Sequence, residues 1–161
     1  MKVALAISVP SGLWRGLPRA RALARETIAA AIAESGFSQP DGAEVSLCLA
    51  DDARLGELNL RWRGVDKPTN VLSFPSAPGG GAESVMLGDI ALAYETLARE
   101  ASELDVPLAD HYRHLVAHGF LHLIGYDHAT VKEAERMEAL ETRIMARLGA
   151  ADPYAREVVR A

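Results

Sequence analysis

Apolar and polar positions follow two periods along this chain. From Val3 to Val9 the larger residues Val3, Leu5, Ile7 and Val9 alternate with Ala4, Ala6 and Ser8, a period of two that predicts a first strand. Glu44–Ala50 repeats it with Val45, Leu47 and Leu49 on one face, predicting a second, half-buried strand. Between them, Pro18 predicts the opening of a helix to about Ser35, with Leu23, Ile28, Ala31 and Ile32 as its stripe. Gly36 ends that helix, and Gln39-Pro40-Asp41-Gly42 reads as a turn. Asp51 or Asp52 can cap a short helix carrying Leu55, Leu58 and Leu60. Pro68 takes the chain out of helix, and Val71 to Phe74 predicts a third strand, with Pro75 and Pro78 marking its exit. Gly79, Gly80 and Gly81 form a flexible loop, either a mobile lid or a passive connection. Val85 to Ala93 predicts a fourth strand, followed by a helix over about Tyr94–Leu104. Pro107 starts a further helix, and Thr130 with Glu133 forms a capping box for a last helix to about Leu148, stopped by Gly149.

The helix after Pro107 is apolar nearly all round, through Leu115, Val116, Phe120, Leu121, Leu123 and Ile124. Such a helix is buried at the centre of its fold. The expected architecture is therefore α+β: a small mixed sheet of about four strands packed with helices around a central buried helix. At 161 residues, 49% apolar and 24% charged, the chain has the size and composition of one soluble domain, 1–161. No apolar run approaches the roughly twenty residues that span a bilayer. The run Val3–Val9 is short for a signal peptide, and Pro10, Trp14 and Arg15 follow without a cleavage pattern. A single cysteine, Cys48, makes no internal disulfide, which favours a reducing cytoplasm.

The central helix also carries chemistry. His118, His122 and His128 fall at i, i+4 and i+10, with Gly125 at i+7. Residues four apart share a helix face, so His118 and His122 can offer two imidazole nitrogens to one ion. Gly125 lets the helix end in a left-handed turn, and the chain can return through Tyr126 and Asp127 to bring His128 in as third ligand. Three imidazoles with an open position is how catalytic zinc is held, so one zinc ion per chain is expected, although nickel, cobalt or copper would also be accepted. The spacing matches the zincin-like protease motif H-E-x-x-H-x-x-G-x-x-H except after the first histidine, where Gly119 replaces the glutamate that serves as general base. A peptide hydrolase of that type would lack its proton acceptor.

The segment HGFLHLIGYDH resembles the signature H-G-x-L-H-L-x-G-Y-D-H of the YbeY family of bacterial endoribonucleases. NLRWRGVDKPTNVLSFP (Asn59–Pro75), LGDI (Leu87–Ile90) and MEALETRIMARLGAADPY (Met137–Tyr154) fit the same family, in the same order. The resemblance implies a zinc-dependent, cytoplasmic endoribonuclease acting on single-stranded ribosomal RNA precursors, in maturation of the small-subunit RNA and ribosome quality control. It implies the small ribosomal subunit as partner, with no DNA and no membrane, and makes Arg63 the active-site arginine beside the metal ligand His118. A planar guanidinium suits that role because it grips two phosphate oxygens at once; the plainer role for Arg63 is pairing with Asp66.

Net charge is −5, awkward for an RNA enzyme because phosphate neutralisation dominates affinity. Its distribution is more favourable: Arg15, Arg19, Arg21 and Arg25 cluster early, Arg54, Arg61, Arg63 and Lys67 in the middle, and many acids lie in the C-terminal half. Lys67 is read as solvated or as a phosphate contact, and Asp127 as a partner to a ligand or a turn cap. His111 is read as packed or at the surface, His114 is open between packing and the RNA path, and Asp89 is read as a structural hydrogen-bond acceptor. The attacking group is either the RNA 2′-hydroxyl or a water. Two rivals stand beside this reading: a metalloprotease or other metal hydrolase, and a non-enzymatic ribosome-assembly factor whose metal only stabilises the fold.

Overall fold

The period-two segments form strands and the 3.6-period segments form helices. The computed structural model describes residues 1–76 and 86–155. In chain order these form β1 (Ala4–Ser8), a 3-10 turn (Gly12–Gly16), α1 (Ala20–Ser35), β2 (Glu44–Ala50), α2 (Asp52–Arg63), β3 (Val71–Pro75), β4 (Met86–Ala93), α3 (Tyr94–Leu104), α4 (Leu108–Leu123) and α5 (Val131–Arg147). The four strands make one mixed sheet in the order β1-β2-β4-β3. β1, β2 and β4 are parallel neighbours, and β3 lies antiparallel to β4 at the edge. Parallel neighbours need long crossovers; α1 provides the first, and α2 with β3 the second.

One face of the sheet presents Leu5, Val45, Leu47, Leu49, Ile90 and Leu92 to α1 and α4 in a continuous core. α4 is buried as its composition predicts, with Tyr112, Val116, Ala117, Phe120 and Leu121 fully enclosed. Fully burying side chains of this size stabilises by roughly 1.5–3 kcal/mol each. The close approach of α4 to the sheet depends on Gly119. A Cβ there would lie 2.9 Å from Ile90 Cγ2 and 3.1 Å from Ser73 Oγ, and the Ser73 hydroxyl donates to Gly119 O at 3.1 Å. The position that holds glutamate in the zinc-protease motif is thus filled by the sheet.

Several boundaries differ from the expected ones. α1 begins at Ala20, because the preceding residues are occupied by the 3-10 turn that sinks Trp14 into the core. The Trp14 indole donates to Ala50 O at 2.8 Å and meets Tyr94 and Tyr112 edge-on. In α2 the buried residues are Leu55 and Asn59, while Leu60, expected on the apolar stripe, is 50% exposed. Asn59 sits one turn after Leu55 and ties the helix to the next loop by donating to Lys67 O at 2.8 Å. Asp51 is the N-cap of α2, accepting from Arg54 N–H. Pro78, the Gly79–Gly81 loop with its possible lid, and Val85 lie outside the described residues.

The outer edge of β3 has a particular pattern. Ser76 N–H donates to Leu87 O and Ala93 N–H to Asn70 O, so the even-numbered residues of β3 face β4, and Val71, Ser73 and Pro75 turn their main-chain groups outward. Asn70 Oδ1 takes the Val71 N–H at 2.7 Å. Among the described residues no helix is long and apolar enough to cross a membrane.

Candidate metal centre

The end of α4 is closed by a Schellman turn. Gly125 has φ 106°, its N–H bonds His122 O at 3.2 Å, and Tyr126 N–H bonds Leu121 O at 3.0 Å. The chain doubles back, and Asp127 Oδ1 accepts the His128 N–H at 2.7 Å, while the Asp127 charge also acts on His122. The result brings together three side chains spread over ten residues of sequence. One ligand nitrogen from each of His118, His122 and His128 lies within 4.8 Å of the others. His118 and His122 are half-buried and His128 is exposed.

The hydrogen bonds fix which imidazole nitrogens carry protons. His122 Nδ1 lies 2.9 Å from Tyr126 O; a carbonyl only accepts, so Nδ1 is the N–H. His118 Nδ1 lies 2.9 Å from Glu141 Oε1. Burial of Glu141 raises its carboxyl, but hydrogen bonds from His114, His118 and Tyr154 outweigh this and bring it down to about 2. Glu141 is therefore a carboxylate and His118 Nδ1 donates to it. In the neutral rings both Nε2 atoms are then bare lone pairs, and they face each other at 3.1 Å. Burial, together with the charges of His118 and His128, lowers the basicity of His122, which favours the neutral, ligating form. Two opposed lone pairs with a third imidazole alongside form a donor set that a divalent transition metal satisfies. Outer hydrogen bonds of this kind fix the tautomer and ring orientation of metal-binding histidines.

Glu141 was read from the sequence only as part of the acidic C-terminal half. The signal was present: Met137, Leu140, Glu141, Ile144 and Met145 are the buried residues of α5, so the acid lies on an apolar stripe, where a carboxylate needs partners. It takes His114 at 3.0 Å and His118 on Oε1, and the Tyr154 hydroxyl at 2.6 Å on Oε2. Glu141→Gln keeps the shape and removes the charge. It is expected to weaken zinc binding roughly 10–100-fold while the circular dichroism spectrum is retained. Titration against a chromophoric chelator measures this, and an unchanged affinity would remove Glu141 from the site.

Arg63 is the last residue of α2, where Gly64 in left-handed conformation ends the helix. It is exposed and lines the same cleft of about 730 Å³ as the three histidines, together with β3. The arginine–carboxylate pairs among the described residues involve Arg19, Arg54, Arg113, Arg143 and Arg147, so the pairing of Arg63 with Asp66 is not formed. Lys67 is exposed and is not among the residues lining that cleft. His111 is packed, as expected, bonding Glu100 at 2.9 Å. His114 stands beside the site through Glu141 and borders an adjoining hollow of about 380 Å³ that shares His118 with the histidine cleft. Asp89 is exposed on the opposite face of the sheet. Among the described residues no hydrogen bond reaches its carboxylate, so the acceptor role expected for Asp89 is not seen.

Comparison with known proteins identifies the family. The family described as Endoribonuclease YbeY matches residues 17–149. A relative in Methylocella silvestris, named Endoribonuclease YbeY, is 51% identical, the match covering 96% of this chain and 87% of that protein. One of the same name in Sinorhizobium fredii is 52% identical over 92% and 90%. The solution structure of TM1509 from Thermotoga maritima is similar in fold, with TM-score 0.57, 23% identity and coverage of 92% of this chain and 97% of that one. By the span of the family match and by identities near one half over nearly whole chains, this chain belongs to the Endoribonuclease YbeY family.

Proposed function

We propose that the chain is a cytoplasmic, zinc-dependent endoribonuclease that cuts single-stranded precursors of small-subunit ribosomal RNA and works with the small ribosomal subunit in maturation and quality control. Family membership makes it a metal-dependent endoribonuclease; the zinc, its ligands, the arginine and the particular RNA are the proposal. The observation that carries it is the gathering of His118, His122 and His128, with the Nε2 atoms of the first two facing each other at 3.1 Å, in one cleft with Arg63. The arrangement is zincin-like in its helix and turn, and residues 1–161 act in it as one domain.

Zinc bound there would lower the pKa of a water to about 7 and polarise a phosphoryl oxygen. The chain's own residues do the rest. Glu141 and the Tyr126 carbonyl hold the δ protons of His118 and His122, so both rings present the other nitrogen to the ion. Arg63 reaches into the cleft from a helix end and grips two phosphate oxygens as charge builds on them. No carboxylate stands where the protease base would be, because Ile90 and Ser73 fill the space beside Gly119. RNA tolerates that loss, since its 2′-hydroxyl can be the attacking group.

The test is cleavage of a single-stranded RNA by zinc-loaded protein beside Arg63→Ala prepared identically. Arg63→Ala is expected to lose about 10²–10³ in kcat with an unchanged melting temperature, because its side chain is exposed. End-group analysis then separates the routes: a 2′,3′-cyclic phosphate marks attack by the 2′-hydroxyl. Equal cutting by Arg63→Ala would remove the arginine from the chemistry; equal cutting by His118→Ala prepared alongside as well would indicate a contaminant and bring the non-enzymatic assembly-factor reading forward.

A further inference from the structure

On the face of the sheet away from α1 and α4 lies a groove of about 1020 Å³. Its floor is made of small residues on adjacent strands, among them Ala6, Ser46, Cys48 and Ala91, and α2 supplies its wall through Arg54 and Arg61. Trp62, Phe74 and Pro75 border this groove and also the cleft of the three histidines, so the two hollows meet along one rim. Trp62 is 62% exposed on that rim. It is nevertheless held: the Arg61 guanidinium lies over the ring at 5.5 Å from its centroid, and Phe74 tilts against it at 6.2 Å and 57°. An indole held by these neighbours yet 62% exposed can stack a flat partner with little loss of side-chain freedom.

We propose that Trp62 is a stacking platform for a nucleobase next to the cleaved bond, and that the single strand continues over the rim into this groove, its phosphates following Arg61 and Arg54. Aromatic platforms joined to a basic track are how single strands are held without base-edge readout. Charge supports this occupant on a chain of net charge −5: Arg54, Arg61 and Arg63 all come from the one helix that forms the rim. Arg54 has Glu57 at 3.2 Å, an exposed pair on the same helix that a phosphate competes with easily, and Asp89 is the carboxylate on the opposite side of the groove. The inference rests on the endoribonuclease reading above and adds where the flanking strand goes.

The experiment uses zinc-loaded protein and a single-stranded oligoribonucleotide long enough to cross the rim. Trp14 is buried and Trp62 exposed, so binding should quench the Trp62 emission, and the quench should vanish in Trp62→Phe. Trp62→Ala is expected to weaken binding about tenfold to a hundredfold and raise KM far more than it lowers kcat, with Trp62→Phe restoring most of the loss. Its salt dependence should equal that of the wild type, because stacking releases no counterions. The double variant Arg54→Ala, Arg61→Ala should lower the slope of log affinity against log salt by about 1.4, two single-strand phosphates' worth. If the wild type cuts RNA but Trp62→Ala keeps wild-type KM, or the double variant keeps the wild-type slope, the inference is overturned, and a groove that takes a protein segment would give that result. If the wild type neither binds nor cuts single-stranded RNA, the underlying endoribonuclease reading falls first.

Discussion

The His118→Ala protein is expected to stay folded, to lose its zinc-dependent stabilisation, and to stop cutting RNA. The fold survives because Glu141, 1% exposed, would still hold His114 and the Tyr154 hydroxyl, so no buried charge is orphaned. The lost hydrogen bond to the Glu141 carboxylate costs about 1.5–3 kcal/mol, partly offset by separating two ring nitrogens that face each other at 3.1 Å. Metal binding suffers far more. Changing only an outer partner of a ligand costs about 10–100-fold, and losing one of three ligands exceeds that. At zinc a hundred times above its dissociation constant, the wild type gains about 2.7 kcal/mol, a rise of roughly 5–10 °C in melting temperature for a chain of this size. The variant should show no rise at the same zinc concentration, and cleavage should fall by about a thousandfold or more. A zinc-induced shift of wild-type size in His118→Ala would remove His118 from the ligand set.

The second large effect is in the sheet, away from any charge. Gly88 is the buried glycine of LGDI, with φ 147°. The pairing of β2 with β4 skips Leu87 beside it, matching Glu44 to Met86 and then Val45 to Gly88. A Cβ at Gly88 would collide with the Phe74 carbonyl oxygen, lie 2.7 Å from Leu123 Cδ2 and 3.0 Å from Pro75 Cα. Two of these obstacles are the backbone of β3, which cannot swing aside. Gly88→Ala therefore combines backbone strain of about 1–3 kcal/mol with overpacking of about 1–3 kcal/mol. A melting temperature lower by roughly 10 °C is expected. Leu123 follows His122 directly, so any shift that relieves the overlap moves the end of α4 and should weaken zinc binding too. An unchanged thermal midpoint would show that the bulge relaxes freely.

What could be read from the sequence was what neighbours in sequence decide. The alternation in β2, the all-round apolar surface of α4, the glycine turn at Gly125 and the capping box, in which Thr130 Oγ1 accepts Glu133 N–H at 3.1 Å, all lie within a few residues of their cause. So did the gathering of the three histidines, because one helix and one turn build it. Contacts across the fold were not legible. Glu141 comes to His118 from another helix, and Trp14 is buried by Tyr94 and Tyr112 rather than by its own segment. The strand order is set by crossovers that no local pattern encodes. Arg63 was identified by family resemblance, and its place in the histidine cleft follows from the packing of α2 against the far side of β3 and β4.

The margin of β3 bears on the protease rival in a way its missing glutamate does not. Extended peptides commonly bind by adding a strand to a sheet edge, paired through main-chain bonds, and among the described residues β3 is the edge strand beside the three histidines. Of its three outward residues, Val71 has its N–H already taken by Asn70 and Pro75 has none, which leaves the Ser73 amide alone. An incoming polypeptide would find one donor along the whole strand, too few to hold it in register. The same blunting by a side-chain cap and a proline guards an exposed strand against self-association, so this margin can stay open to solvent without recruiting another copy of itself.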